Sequence, residues 1–256
     1  MELWTTQHIN TLLPSIGAML VIALALRLAL KNKSWEIRMI PFQILACFIV
    51  AIEIGKQAVS LSKGYDLYHL PFHFCSLFIF MLPLMAFCRG KVQKKIQAIT
   101  AAISGALFLL MVIYPNLIYS AGNIENFFTD YMSFHTVAFH NVVMLAFLLI
   151  IALELHTPET KGEPKVAALF TLGFCVVSAT MAQVLKTNYA NFYTCNIPVL
   201  EEVRLSVAEA IGEGVAKLVY ILILTVLNIA FVQLAYWVFR LANRAIKGEK
   251  TPVIAK

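Results

Sequence analysis

The residues of this chain best suited to covalent chemistry lie in one short segment, His69-Leu-Pro-Phe-His73-Phe-Cys75-Ser76. Proline suits the first position of a helix, so a helix opening at Pro71 would carry His73 and Cys75 in its first turns. Unpaired amides and the positive end of the helix dipole favour an anion there. A thiol in that field, near an imidazole, becomes a usable thiolate nucleophile. His73 is an awkward base for it, because residues two apart on a regular helix point roughly 200° apart. A second apolar segment offers better-placed imidazoles. His140, which shares a face with Thr136 and Ser133, is the expected base, and His135, about 140° around that helix, is the alternative.

Metal chemistry is the natural competitor. His73, His135, His140, Cys75 and Glu53 are all acceptable zinc ligands, and facing histidines could hold a haem. Neither an HExxH motif nor a short HxH spacing occurs, so no metal and no cofactor is expected. Cys47, Cys88, Cys175 and Cys195 lie mostly in apolar runs without a CxxC pair and read as small hydrophobes.

These groups sit in a chain of 256 residues that is 60% apolar and 13% charged, with a mean hydropathy of +0.79. Soluble domains keep about a quarter of their residues charged. The chain therefore reads as a membrane protein, which excludes a cytosolic enzyme, a disordered scaffold and a nucleic-acid-binding protein. A hydrocarbon layer of about 30 Å needs roughly 20 apolar residues per crossing. Seven windows qualify, at 11–30, 39–61, 71–88, 96–114, 134–155, 166–185 and 207–239. They predict an all-α, polytopic bundle of seven transmembrane helices forming one domain over 1–256. The last window is expected to start outside the bilayer, tilt, or break around Gly212 and Gly214. Met1 to Asn10 lacks a basic stretch, so the first run is expected to be an uncleaved helix.

Sidedness follows from the basic residues. Of the 20 Lys and Arg, 14 fall in loops and a tail on one side, among them Lys161, Lys250 and Lys256, while the other side holds Lys63, Lys186 and Arg204. Basic residues collect in cytoplasmic loops, which predicts the N-terminus outside and the C-terminus in the cytoplasm.

An ionisable side chain inside a span is costly unless paired or hydrated, and so marks a functional candidate. Here such residues gather in the outer halves of five runs. Glu53, Lys56, Gln57 and Ser60 share one helical face by their spacing. Asn141 follows His140, Asn188 and Tyr189 follow the sixth run, and Glu213 and Lys217 lie one turn apart on the seventh. A one-sided polar hollow suggests chemistry or binding near the outer leaflet, with Glu53, Lys56, Asn141, Asn188, Tyr189, Glu213 and Lys217 as candidate substrate-binding residues. The plainer reading makes Glu53–Lys56 and Glu213–Lys217 ion pairs between helices, and Tyr65, Tyr68, Tyr114, Tyr119 and Tyr131 anchors at the membrane interface.

The His69–Ser76 segment, together with Phe134-His-Thr, Phe139-His and Lys186-Thr-Asn-Tyr, resembles the YwaF-like family of bacterial polytopic membrane proteins and, more distantly, the transmembrane protein 164 family of animals. The resemblance covers most of the chain, and Pro-x-His-x-Cys is its most specific motif. The animal relatives are lipid acyltransferases that move fatty acyl chains between phospholipids and ether lysophospholipids, with a cysteine nucleophile and a histidine partner. The resemblance thus implies Cys75 as nucleophile and His140 or His135 as partner. The expected function is a membrane acyltransferase or acyl hydrolase that takes membrane lipids, phospholipid or lysophospholipid, as substrate in a bacterial plasma membrane. A transporter or receptor that binds an anionic solute or lipid headgroup through Lys56 and Lys217 is the alternative, and a structural subunit a third.

Overall fold

The computed structural model describes residues 4–158, 162–196 and 198–247, so Lys161, Lys250 and Lys256 of the sidedness argument lie outside the described residues. All regular elements among the described residues are helical. They are α1 (Thr6–Leu30), α2 (Trp35–Ser62), α3 (Phe78–Phe87), α4 (Gly90–Ile113), α5 (Ala121–Glu125), α6 (Tyr131–Ala152), α7 (Glu163–Leu185), α8 (Pro198–Ile211) and α9 (Glu213–Lys247), with short 3-10 turns at Leu67–His69, Cys75–Leu77, Pro115–Leu117 and Tyr189–Asn191. Six of them, α1, α2, α4, α6, α7 and α9, are long and apolar enough to cross a membrane.

The third predicted window differs most. Pro71 does not open a helix. Leu70 before it is extended, with φ −64° and ψ 149°, the conformation that the proline ring imposes on its neighbour, and regular α-helix begins only at Phe78. The ten residues of α3 reach about 15 Å, too short to cross alone. Side-chain contacts nevertheless show how far the whole segment travels. Gln57 Nε2 donates to His69 O at one end, and Gln43 Nε2 donates to Ala86 O at the other. The fourteen residues of α2 between those glutamines span about 21 Å, so residues 69–86 descend alongside α2 by that distance, partly as irregular chain.

Two other windows needed adjustment. The apolar window at 96–114 underestimated α4, because its first turns carry Lys91, Gln93, Lys94 and Lys95, which lower hydropathy without breaking a helix. The long last window breaks at Gly212, whose φ of +87° suits a residue without a Cβ. Ser206 and Glu209 therefore lie on α8, while Glu213, Lys217 and Tyr220 lie on α9.

The helices α4 and α6 form the centre of the bundle, whereas the apolar windows of α1 and α9 are mostly exposed. Both ends of α6 are fastened. Asp130 caps its start by accepting from Ser133 N at 2.9 Å, and that amide holds the Asp130 carboxyl below its usual pKa range. At its finish, Arg27 Nη1 donates to Ala152 O at 2.7 Å, Arg38 Nη1 to Leu153 O at 2.8 Å and Trp35 Nε1 to Leu155 O at 3.2 Å. Guanidinium groups are favoured there by the negative end of the helix dipole.

The junction of α2 with α6 depends on a glycine. Tyr131 Oη donates to Ile52 O at 2.9 Å, and a Cβ at Gly55 would stand 2.0 Å from the Tyr131 hydroxyl oxygen. Gly55→Ala is expected to lower stability by about 1–3 kcal/mol through overpacking. Gly17→Ala, where a Cβ meets nothing within 4 Å, should be neutral or gain up to about 1 kcal/mol. Thermal unfolding of the purified protein in detergent compares the two.

Candidate functional site

At the end of the bundle where α2 finishes and α6 begins, the end expected to face outward, α2, α4, α6 and α9 and the irregular segments 67–77 and 188–196 enclose a cavity of about 430 Å³. That volume lies in the range of small-molecule sites. One wall is polar and holds Glu53, Lys56, His69, His73, His135 and His140. The lining also has an apolar part, which includes Leu107, Leu110, Leu117, Ile118 and Leu224. Cys75 lies in the lining and begins the helical turn that leads into α3.

The irregular backbone under the thiol is held from outside. Tyr189 Oη donates to Leu67 O, His73 Nε2 to Tyr68 O at 3.2 Å, Gln57 Nε2 to His69 O at 3.1 Å and Ser178 Oγ to Phe72 O at 2.8 Å. These four carbonyls thus receive side-chain donors from α2, from α7, from the segment after α7 and, at Tyr68, from His73 of the same segment, and Leu67 O also accepts from Leu70 N. Non-helical chain at membrane depth is tolerated only where it is buried in protein or lines a cavity, and this stretch does both.

The imidazoles play distinct parts. A carbonyl oxygen can only accept, so the 2.6 Å contact from His140 Nδ1 to Thr136 O places the proton on Nδ1 and leaves Nε2 with the lone pair. His135 Nε2 donates to Glu53 Oε2 at 2.9 Å, which leaves its Nδ1 as the acceptor. Either histidine therefore presents a basic nitrogen. His73 is spent on backbone: besides donating to Tyr68 O, it accepts from Ala190 N at 3.4 Å. It acts as a bracket between the two irregular segments. Ala190 itself has a φ of +48°, an unfavourable conformation for a residue with a Cβ, in the cavity lining beside His73.

Glu53 organises the polar wall. Its carboxylate takes Lys56 Nζ at 2.7 Å, Gln57 Nε2 at 2.7 Å and His135 Nε2 at 2.9 Å, and Gln57 Oε1 accepts from Tyr65 Oη. The acid and the ammonium are both buried, so each compensates the other's loss of water.

Four of the expected binding residues are not brought to the cavity. Asn141 Oδ1 accepts from Tyr119 Oη and Tyr189 is buried against Leu67. Glu213 is exposed at the start of α9, and Lys217 Nζ stands 4.9 Å from the Tyr193 ring centroid, not at Glu213. Asn188 does reach the lining, but its amide is committed to Asn196 and to the amides of Tyr193 and Thr194. Conversely, Tyr68, Asn191 and Asn228 line the cavity without having been singled out. Tyr68, read as an interface anchor, packs its ring 4.5 Å from that of His73. Asn228 is an amide in the apolar run of α9, the same kind of signal that pointed to Glu53. Among the described residues, no group of three or more His, Cys, Asp and Glu side chains could hold a metal ion.

A multi-pass helical membrane protein with a half-polar, half-apolar hollow at one end is thus defined by fold and site together. Residues 3–240 match the family model described as the TMEM164 family, and the chain belongs to that family. No curated protein and no solved structure matches it.

Removing Glu53 would leave a buried ammonium and a buried imidazole without their acceptor. Glu53→Ala is expected to cost about 3–5 kcal/mol of stability, and the double substitution Glu53→Ala, Lys56→Met clearly less than the sum of its parts. Unfolding of the purified protein by SDS, followed for both singles and the double, measures this.

Proposed function

We propose that this protein transfers fatty acyl groups between phospholipids and lysophospholipids through a thioester on Cys75. The observation that carries the reading is the composition of the cavity that the thiol lines: the imidazoles of His135 and His140 together with the apolar side chains of Leu107, Leu110, Leu117, Ile118 and Leu224. Acyl transfer from a lipid needs both, a base at the reacting carbonyl and a hydrocarbon surface for the chain.

The reaction follows from these groups. His140 Nε2 takes the thiol proton, and the sulfur attacks the ester carbonyl carbon of a donor phospholipid. The ester C–O bond breaks, and the departing lysophospholipid oxygen takes the proton back from the imidazolium. An acceptor lysophospholipid then gives its hydroxyl proton to the imidazole and attacks the thioester carbon. The C–S bond breaks, and the proton returns to sulfur. His135, oriented by Glu53, is the second candidate base. Water in place of the acceptor makes the same steps a hydrolysis.

The arrangement in the membrane belongs to the same reading. Residues 69–86, descending beside α2, make a seventh crossing together with the six long helices. The N-terminus then lies outside and the C-terminus in the cytoplasm, as the bias of 14 basic residues to 3 supports. The hollow opens at the outer leaflet of a plasma membrane, bacterial by the sequence resemblance.

In proteoliposomes holding labelled phospholipid and lysophospholipid, wild type should redistribute label and Cys75→Ala should not. A hydroxylamine-sensitive acyl adduct should form on wild type alone, and His140→Ala should slow transfer by about 100-fold or more. Equal redistribution by Cys75→Ala would overturn the reading. Solute flux that survives Cys75→Ala but is lost in Lys56→Ala would replace it with a transporter.

A further inference from the structure

A second, smaller void of about 70 Å³ adjoins the cavity. Phe74, Leu107, Leu110 and Asn228 line both, while Phe78, Ile103, Ala106, Phe231 and Val232 line the smaller one alone. All three contributing elements place it deeper in the bundle. Along the chain entering α3 the lining moves from Cys75 to Phe78, on α4 from Leu110 back to Ile103, and on α9 from Leu224 on to Val232. The seven or eight residues involved on α4 and α9 correspond to about 10–12 Å along a helix. The depth of the chamber increases away from the polar wall, toward the middle of the bundle.

Apart from Asn228, whose Nδ2 is already bonded to Leu224 O in its own helix, only hydrocarbon and aromatic side chains face this chamber. Such voids stay dry and accept apolar groups. Its floor is firm: Phe78, Ile103, Ala106 and Val232 are all buried.

We infer that this chamber receives the methyl end of the acyl chain whose carbonyl stands at Cys75, and that Ala106 and Val232 set the longest chain accepted. The inference rests on the acyl-transfer reading and extends it to the choice of chain. A chain attached at the thiol runs along Leu107 and Leu110 and ends against Ile103, Ala106 and Val232. A leucine at position 106 fills the chamber, and an alanine at position 232 enlarges it. Neither residue lines the cavity at the thiol, so neither substitution touches the reacting groups.

The test compares wild type, Ala106→Leu and Val232→Ala in the proteoliposome assay, with lauroyl, palmitoyl and stearoyl phosphatidylcholines as donors. One methylene in a tight apolar pocket is worth about tenfold or more in rate. Ala106→Leu should therefore lose stearoyl transfer by at least about tenfold relative to lauroyl, and Val232→Ala should shift the ratio the other way. The same proteins are melted with the matching lysophosphatidylcholines, which reads chain occupancy without chemistry. Transfer with an unchanged chain profile in both folded variants overturns the chamber. Absence of transfer by wild type, with melting shifts that still follow chain length and move in opposite directions in the two variants, overturns acyl transfer and leaves the chamber standing.

Discussion

An unwound backbone at membrane depth must find hydrogen-bond partners that neither water nor a helix supplies. The rest of this structure is arranged around that requirement. Leu67, Tyr68, His69 and Phe72 each offer a carbonyl, and each receives a side-chain donor, Tyr68 from His73 in the same segment and the other three from other parts of the fold. Gln57 and Ser178 serve this purpose from helices, and Tyr189 and His73 from the irregular segments themselves. The benefit is positional. A helix through residues 70–77 would have filled the hollow with side chains and buried the thiol in a packed interface, whereas the bonded loop holds Cys75 at the edge of a space.

Charge inside the hollow is managed by local neutralisation. Glu53, Lys56 and His135 form one cluster, so a cavity sunk among helices contains ions yet carries little net charge. Lys56 thus already has its counter-ion in Glu53. The cluster also couples α2 to α6 at the level of His135, just as Tyr131 couples them beside Gly55. Geometry at the polar wall and packing of the bundle therefore depend on the same few contacts.

Much of this was legible in sequence because the membrane imposes simple rules. Long apolar runs had to be helices, and Glu53 and Lys56 in an apolar run had to be paired or functional. His73, His135, His140 and Cys75 do line one hollow. What sequence could not convey was where a helix stops for reasons outside itself. Pro71 looks like a helix start, and only the donors waiting on α2 and α7 make an irregular path affordable there. The turn at Gly212 divided between two helices a window that hydropathy alone made continuous. Asn141 and Tyr189 were polar at the right depth, but depth does not say which way a side chain faces, and both point into bonds within the fold.

The fastening of α6 by Arg27 and Arg38 bears on assembly of the chain during synthesis. The first hairpin enters the bilayer with two guanidinium groups whose carbonyl partners lie more than a hundred residues downstream. Until the later helix arrives, those cations have only lipid phosphate or water to meet. His135 and His140 ride on that same late helix, so its capture by the waiting arginines links completion of the polar wall to completion of insertion. A nascent chain halted before residue 152 has neither a closed bundle nor a finished hollow.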